Sequence, residues 1–336
     1  MDDMDLEDIA KALVAPSKGI LAADESTGTI KKRLETINTP STEDTRRDYR
    51  ELLLSSEGAG DYISGVILYD ETIRQQAKNG TPLTELIKAQ GIIPGIKVDT
   101  GAKHLAFSEG ELVTEGLDGL RDRLNEYHKL GARFAKWRAV ISIGDGAPSQ
   151  YCIDTNAHAL ARYAALCQEA GLVPIVEPEV LMDGDHNIDE CYAVTETTLK
   201  TVFDELYKQR VVLEQMLLKP NMVVSGKDCP EQAGIDEVAT KTLYCFEQTV
   251  PAAVPGIVFL SGGQSEQQAT EHLNAMNQMG SYPWEISYSF GRALQASALS
   301  AWQGKPENIE AAQKAFLHRA KLTSAARDGE YNADME

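Results

Sequence analysis

The sequence has few cysteines, and none of the cysteine spacings that hold a metal or carry redox chemistry. Its five cysteines are widely spaced, odd in number and never arranged as a CxxC pair: Cys152, Cys167, Cys191, Cys229 and Cys245. This spacing argues against zinc fingers and thioredoxin-like redox motifs. We therefore expect free thiols in a reducing compartment.

Long apolar runs and a secretory leader are also missing. No apolar stretch approaches the roughly 18 residues that a membrane-spanning helix needs. The first ten residues, MDDMDLEDIA, are acidic and lack the basic and apolar segments of a signal peptide. We expect a cytoplasmic protein without a membrane segment.

Positive charge is scarce, because 32 lysines and arginines stand against 51 aspartates and glutamates, which gives a net charge of -19. Such a surface repels the phosphates of nucleic acids and anionic membranes, so we expect neither as a partner. Any site that binds a phosphate must then be a local cluster of lysine and arginine.

Histidine is sparse as well, and its spacing does not indicate a metal site. The six histidines form no HxH or HxxxH pair. His186, in DGDHN (183–187), is the most ligand-like of them, although a polar loop after a strand also accounts for it. We expect no metal and no cofactor.

What the sequence does have is a regular alternation of strand-like and helix-like segments. Eight short apolar, β-branched runs predict strands at residues 19–23, 65–69, 92–98, 134–141, 172–176, 216–219, 257–260 and 285–290. Between them, helical periodicity predicts helices at 117–130, 158–170, 190–209, 237–249, 264–278 and 291–303. This alternation predicts an α/β fold, and the count of eight favours a closed (β/α)8 TIM barrel over an open sheet. Helices at 6–14, 42–56 and 308–326 are expected as additions at the ends.

Ionisable side chains lie at or near the ends of five of these apolar runs. They are Asp24, Lys97, Asp99, Lys136, Arg138, Glu177, Glu179 and Lys219. Burying such groups costs free energy, and the carboxyl ends of barrel strands form the active-site face. One of these residues could be part of a core salt bridge, but their presence on five strands predicts a pocket.

Lys219 is the candidate nucleophile. It follows apolar residues in QMLLKPNM (215–222), and this environment and a nearby cation such as Lys136 would both lower its pKa. A neutral lysine amine attacks a carbonyl carbon and forms an iminium, an electron sink that lets the C3–C4 bond of a ketose break. A lysine that reaches solvent from a strand end is the simpler alternative, and the charged neighbours favour the catalytic interpretation.

Proton transfer needs a second group, and two neighbouring carboxyls are suited to it. Glu177 and Glu179 are two positions apart on one strand, so both face the same side. We expect their like charges to raise one pKa toward neutrality, so that one carboxyl holds a proton. Asp24 either positions the sugar hydroxyls or the nucleophile, or is a helix cap for the Ser-Thr-Gly turn that follows it.

Two loops are candidate phosphate sites. SGGQS (261–265) follows the seventh predicted strand and precedes a helix, so its backbone N–H groups and the helix dipole favour an anion. Gly291 and Arg292 hold the same place after the eighth strand. Barrels frequently bind phosphate with these two loops, so the pair indicates a phosphate site more strongly than either loop alone.

These residues lie in stretches that resemble the class I fructose-bisphosphate aldolases from about residue 6 to residue 331. The stretches are LAADESTGTIKKR (21–33), GIKVD (95–99), FAKWR (134–138), VPIVEPE (173–179), LLKPNM (217–222), FLSGGQS (259–265) and GRALQASAL (291–299). Their order and spacing carry the resemblance. It implies a single aldolase-type barrel domain over residues 1–336.

The resemblance also implies a role for each candidate residue. Lys219 would form the Schiff base, and Glu177 would be the acid and base for dehydration of the carbinolamine. Glu179 and Lys136 would assist with charge and protons, and Asp24 would orient the region of the C4 hydroxyl. The groups that would hold the C1 phosphate are Ser261, Gly262, Gly291 and Arg292. Those that would line the path of the C6 phosphate are Ser26, Thr29, Arg33, Lys97 and Arg138.

The implied activity is the reversible, metal-independent cleavage of fructose 1,6-bisphosphate into dihydroxyacetone phosphate and glyceraldehyde 3-phosphate, in glycolysis and gluconeogenesis. The resemblance also favours a homo-oligomer, with a tetramer preferred. Transaldol transfer is the alternative reaction, and the two phosphate sites argue against it. A binding protein that kept an aldolase shell is the alternative without catalysis, and the costly buried charges argue against that. The sequence leaves open the preference among fructose 1,6-bisphosphate, fructose 1-phosphate and sedoheptulose 1,7-bisphosphate.

The sequence departs from the family pattern at two places. Thr29 stands where many members carry serine, and it keeps the hydroxyl. The sequence ends at Glu336, whereas many members continue into a mobile tail whose terminal tyrosine assists proton exchange on the enamine. We expect cleavage to survive and the enamine to be protonated by another group, either Glu179 or Tyr331.

Overall fold

The structure, a computed structural model, describes residues 4–144 and 146–336, and within them eight parallel strands close into a barrel. The strands are β1 Gly19–Ala23, β2 Ile63–Leu68, β3 Ile93–Lys97, β4 Phe134–Ile141, β5 Val173–Val180, β6 Leu217–Leu218, β7 Gly256–Phe259 and β8 Glu285–Phe290. Their order along the chain is also their order around the barrel, and β8 pairs with β1. The predicted (β/α)8 fold is confirmed.

Helices occupy the connections between the strands and both ends of the chain. They are α1 Leu6–Leu13, α2 Thr27–Glu35, α3 Glu43–Leu54, α4 Asp70–Ile73, α5 Leu83–Ala89, α6 Leu120–Lys129, α7 Gln150–Glu169, α8 Ile188–Lys208, α9 Ile235–Thr249, α10 Glu266–Gln278, α11 Arg292–Trp302 and α12 Ile309–Arg327. None of the helices in the described residues is long and apolar enough to cross a membrane.

One expectation about the helices is wrong, and one pair of strands was not predicted. The helix expected as a terminal addition at 42–56 is α3, which belongs to the β1–β2 connection and packs against α5 and α12. An antiparallel hairpin between Gly101–His104 and Leu112–Glu115 was not predicted. Its strands are short and mostly at the surface, so they lack the apolar alternation that indicates a strand.

Helix α1 closes the amino-terminal end of the barrel. Its Leu13 packs with Ile20, Phe134 and other interior side chains in a core distinct from the larger one under the outer helices. The fit depends on Gly65, where an added Cβ would lie 2.6 Å from the Cδ2 atom of Leu13. The barrel is therefore filled from this end.

Alternation along the strands turns charged side chains into the barrel above this filling. Ala22 and Ile175 belong to the interior apolar core. Asp24 and Glu177 stand two positions further along the same strands, so they face the interior as well. Lys219 follows β6 in the same way. The carboxyl ends of the strands thus meet in a charged layer above an apolar one.

Candidate active site

A cavity of about 480 Å³ opens at the carboxyl ends of the strands. Apart from Tyr331, every residue predicted from the sequence for catalysis or phosphate binding lines it: Asp24, Ser26, Thr29, Arg33, Lys97, Lys136, Arg138, Glu177, Glu179, Lys219, Ser261, Gly262, Gly291 and Arg292. The structure brings these residues together at one site, and the individual roles assigned to them stay predictions.

The centre of the cavity is a line of alternating charges. The Lys136 ammonium lies 2.7 Å from Oδ2 of Asp24 and 3.1 Å from Oε2 of Glu177. The other oxygen of that glutamate, Oε1, lies 3.4 Å from Nζ of Lys219. All four side chains are buried, so water screens these interactions weakly.

The two lysines of this line have pKa shifts of opposite direction. Burial lowers the pKa of Lys219, and although the Glu177 carboxylate raises it, the Lys136 cation lowers it further, so the pKa falls below its ordinary value. This is the direction predicted from the sequence. Burial also lowers the pKa of Lys136, but the carboxylates of Asp24 and Glu177 outweigh burial and raise it. Lys136 therefore stays an ammonium, while Lys219 loses its proton more readily than an ordinary lysine.

Glu177 is not the carboxyl with a raised pKa that was expected in the pair of Glu177 and Glu179. Burial raises the pKa of Glu177, but Lys136 and Lys219 more than compensate, so its pKa is lowered. The charge of Glu179 is meanwhile paired with the guanidinium of Arg138. Cations from neighbouring strands, which adjacency in sequence does not reveal, decide the outcome.

Asp24 is a pocket residue and not a helix cap. The cap of α2 is Ser26, whose hydroxyl accepts a hydrogen bond from the N–H of Thr29 at 3.4 Å. Burial raises the pKa of Asp24, and the Lys136 and Lys219 ammonium groups lower it well below its ordinary value. Of the two alternatives left open by the sequence, the helix cap is excluded, and Asp24 is an ionised carboxylate in the cavity.

The loops after β7 and β8 have the geometry of an anion site. Gly262 has a φ of +57°, a conformation that favours glycine, and Ser265 caps α10 by accepting from the N–H of Gln268 at 3.1 Å. Gly291 precedes the first residue of α11, Arg292, which has no ion-pair partner within the described part of the chain. Two helix starts and a free guanidinium therefore meet at one side of the cavity.

Ser289 and Glu25 are two of the cavity residues that were not found from the sequence. Ser289 lines the cavity and is 1% exposed, yet its hydroxyl has no hydrogen-bond partner among residues 4–144 and 146–336. Its place two residues before Gly291 on β8 was the available signal.

The second of them is Glu25, which lines the cavity beside Asp24. Its Oε2 atom lies 2.6 Å from Nη1 of Arg50, and its Oε1 atom binds Arg33 and accepts from Nε2 of Gln295 at 3.0 Å. Burial raises the pKa of Glu25, and the two guanidinium groups lower it overall. Arg50 and Gln295 are far from Glu25 along the chain, so no local sequence pattern predicts this cluster.

The remaining sequence predictions concern residues outside the cavity. The five cysteines are free and buried, as expected. His186 is 5% exposed in the loop after β5, and the described residues contain no group of three or more His, Cys, Asp or Glu that could hold a metal ion. Tyr331 is buried, donates to Glu336 at 2.9 Å and does not line the cavity, so the structure gives no support to its proposed role as a proton donor.

Comparison with known proteins bears directly on this site. The family model for class I fructose-bisphosphate aldolases matches residues 5–336. A probable fructose-bisphosphate aldolase class 1 of Xanthomonas axonopodis pv. citri is 59% identical over 327 residues, which are 97% of this chain and 98% of that protein. The cytosolic fructose-bisphosphate aldolase 6 of Arabidopsis thaliana is 55% identical over 322 residues, or 96% of this chain and 90% of that protein.

A solved structure agrees with these relatives. Fructose-bisphosphate aldolase from Plasmodium falciparum, crystallised in complex with TRAP and a small-molecule inhibitor, has a TM-score of 0.97 to this structure and 48% sequence identity. The similarity covers 98% of this chain and 95% of that one. Because the match extends over almost the whole length at high identity, this chain belongs to the class I fructose-bisphosphate aldolase family.

Proposed function

We propose that this protein cleaves fructose 1,6-bisphosphate reversibly into dihydroxyacetone phosphate and glyceraldehyde 3-phosphate, with Lys219 as the Schiff-base nucleophile. The observation that carries the proposal is the buried pair of lysines that share Glu177 and have pKa shifts of opposite direction. One lysine is prepared to attack a carbonyl, and the other remains a permanent cation beside it.

The first step joins Lys219 to C2 of the ketose. Its ammonium proton passes to Glu177, 3.4 Å away, and the free amine attacks the carbonyl to form a carbinolamine. The same carboxyl then returns the proton to the C2 hydroxyl, which leaves as water, so the net products are an iminium and water. A carboxyl whose pKa is lowered is suited to this task because it is an acceptor at the start of the step.

The second step breaks the C3–C4 bond. The iminium receives the electron pair and becomes an enamine, while the C4 hydroxyl gives its proton to the Glu177 carboxylate, which the first step has regenerated, and C4 becomes an aldehyde. Asp24 orients this hydroxyl as an ionised acceptor, and the Lys136 ammonium, 2.7 Å from Asp24, stabilises negative charge that develops on the oxygen. Glu179, held by Arg138, assists with charge on the other side of Glu177 and is the remaining candidate for protonating the enamine.

The phosphates bind at two ends of the cavity that differ in charge pairing. At the C1 end, Arg292 is free, and Ser261, Gly262, Ser289 and Gly291 supply hydroxyl and backbone donors. At the C6 end, Ser26 and Thr29 supply hydroxyls, and each cation already holds a carboxylate: Arg33 with Glu25, Lys97 with Asp99 and Arg138 with Glu179. The C1 phosphate therefore binds near a cation without an ion-pair partner in the described residues. The C6 phosphate binds near cations that are already paired with carboxylates.

The assembly and cellular place of the protein are also part of the proposal. We place it in the cytoplasm as a homo-oligomer, with a tetramer preferred, and we treat residues 1–336 as one barrel domain. The cytosolic relatives in Arabidopsis thaliana support the location. Sedimentation velocity at micromolar concentration measures the subunit number, and a monomer would contradict the proposed assembly.

The mechanism has a direct test. The protein is incubated with dihydroxyacetone phosphate, reduced with borohydride and mapped by mass spectrometry. We expect one adduct, on Lys219, in wild-type protein, none in Lys219→Met, and no effect of EDTA on cleavage. An adduct on another lysine, or no adduct at all, would contradict the mechanism. Loss of activity with EDTA would indicate a metal-dependent mechanism instead.

A further inference from the structure

Tyr69 is a cavity residue that the mechanism above does not use. It follows directly after β2, is half-buried and lines the same cavity as Lys219. Ile67, two positions earlier, belongs to the apolar core inside the barrel. Tyr69 therefore points into the barrel by the alternation that places Asp24 and Glu177 there.

The hydroxyl of Tyr69 is unpartnered in the part of the chain that the structure describes. Within residues 4–144 and 146–336 it makes no hydrogen bond, whereas buried tyrosines elsewhere in the chain are satisfied. Tyr163 and Tyr288 each donate to a backbone carbonyl at 2.8 Å, and Tyr49 donates to a glutamine side chain at 3.1 Å. Because a phenol that is partly removed from water normally finds a partner, a free one on a cavity wall is available to a ligand.

The position of β2 in the barrel tells which part of a ligand Tyr69 meets. Leu68 pairs with Ala23 on β1 and with Ile96 on β3, so β2 lies between these two strands. The groups proposed for the C6 phosphate stand on both sides, with Ser26 after β1 and Lys97 at the end of β3. A phosphate that reaches both of them passes in front of Tyr69.

The same geometry separates Tyr69 from the nucleophile. In the closed ring of eight strands, β2 and β6 are four places apart, so they form opposite walls. Lys219, at the end of β6, is bonded to C2 in the proposed mechanism. A group that contacts Tyr69 therefore belongs to the far end of the ketose, the part that leaves as the aldehyde.

We propose that Tyr69 donates a hydrogen bond to the phosphate on the aldehyde half of the substrate, and so selects ketoses that carry a phosphate at both ends. The inference rests on the function proposed above. A neutral donor suits this end of the cavity because its cations are already paired with carboxylates. The phenol adds attraction for the phosphate without disturbing any of these pairs.

Tyr69→Phe tests the proposal, because it removes only the hydroxyl. We expect kcat/KM for fructose 1,6-bisphosphate to fall about tenfold or more, as is usual for loss of a hydrogen bond to a charged group. For fructose 1-phosphate, which lacks the second phosphate, kcat/KM stays the same. The ratio of the two constants is the readout, since a general disturbance of the site would lower both.

Two controls accompany this variant. Tyr207→Phe removes a phenol hydroxyl from an 86% exposed position on α8 and leaves the ratio unchanged. Thermal unfolding of Tyr69→Phe matches that of wild type, because the hydroxyl makes no bond within the described protein.

The outcomes separate this inference from the proposed function. An unchanged ratio in Tyr69→Phe, or an equal loss on both substrates, overturns the role of Tyr69, and an equal loss would indicate contact with a sugar hydroxyl. Borohydride trapping of dihydroxyacetone phosphate, which has no aldehyde half, remains at the wild-type level in Tyr69→Phe. If wild-type protein forms no adduct on Lys219 and cleaves neither ketose, the proposed function itself fails.

Discussion

Lys136 and Lys219 approach the same carboxylate from two sides, 3.1 Å from Oε2 and 3.4 Å from Oε1 of Glu177. Lys136 also lies 2.7 Å from a second carboxylate, that of Asp24. This difference in partners gives the two ammonium groups opposite pKa shifts. Burial contributes most to the lowered pKa of Lys219, and the Lys136 cation, which does not itself react in the proposed mechanism, lowers it further.

Lys136→Met is expected to reduce kcat by roughly 10²–10⁴-fold, the range for loss of a group that manages protons. Without this cation only burial opposes the carboxylates of Asp24 and Glu177, so the pKa of Lys219 rises. The pH dependence of borohydride trapping measures the effect, and its rising limb should move to higher pH. Lys200→Met, on the exposed surface of α8, is the matched control. A pH profile of trapping that stays in place would show that the charge of Lys136 does not influence the pKa of Lys219.

Glu177→Gln is expected to lower kcat by a similar factor through a different step. Loss of the carboxylate lowers the pKa of Lys219 further, because that carboxylate raises it in the native protein. Attack on the ketone therefore continues, while dehydration to the iminium is slow. Borohydride reduces an iminium but not a carbinolamine, so single-turnover trapping measures this difference. A rate of adduct formation equal to wild type would exclude Glu177 as the acid.

The two phosphate ends should respond differently to loss of a cation. Arg292→Met removes the free guanidinium at the C1 end, so we expect KM to rise about tenfold or more for fructose 1,6-bisphosphate and fructose 1-phosphate alike. Lys97→Met leaves Asp99 without its ion-pair partner at the C6 end. This variant should raise KM for fructose 1,6-bisphosphate and leave KM for fructose 1-phosphate unchanged. Steady-state kinetics with both ketoses checks the pair of variants. If Lys97→Met raised KM for fructose 1-phosphate by the same factor, the assignment of the two phosphate ends would be wrong.

Glu25 makes stability depend on pH in a defined direction. The pKa of Glu25 is lower in the folded protein than its ordinary value, so the stability it contributes is present above about pH 4.3. This contribution is lost as the pH falls through the lowered folded pKa. Glu25→Gln leaves Arg50 buried and unpaired, which should reduce the free energy of unfolding at neutral pH by about 3–5 kcal/mol and flatten the acid dependence.

Urea denaturation of wild type and Glu25→Gln between neutral pH and pH 3 checks this prediction. Glu310→Gln, at an exposed pair on α12, is the control and should behave as wild type. Parallel acid profiles for the wild type and Glu25→Gln would show that this buried cluster does not cause the dependence.

The five cysteine thiols should be unreactive toward thiol reagents in the native protein. Burial raises the pKa of Cys152 to about 11 and that of Cys245 to about 12, and thiolates are the reactive form. We expect Ellman's reagent to titrate no thiol at neutral pH in native protein and all five after unfolding in guanidinium. A thiol that reacts at once in the native protein would mark a local opening.

The barrel could be predicted from the sequence because each strand is a short apolar run between helical segments. The positions of Asp24, Glu177 and Lys219 followed for the same reason, since a charged residue at the end of a buried strand has one favourable place to point. The bounds of β1, β4 and β8 agree with the predicted residues.

What could not be predicted depends on contacts between distant segments. Glu25 is held by Arg50 and Gln295, whose separation along the chain leaves no periodic pattern. The lowered pKa of Glu177 comes from cations on β4 and β6, and not from the neighbouring Glu179 that the sequence brings to notice. The hairpin after β3 was not predicted because its four-residue strands are mostly at the surface and lack an apolar alternation.

The seal that α1 makes beneath the strands also has a kinetic consequence. Because Leu13 and its neighbours fill that end, substrate and both products pass through one opening. In the proposed mechanism the aldehyde is freed while the three-carbon ketone is still bonded to Lys219, so it departs first and the ketone phosphate follows after hydrolysis. In the synthetic direction the order reverses, and the ketone phosphate must enter before the aldehyde.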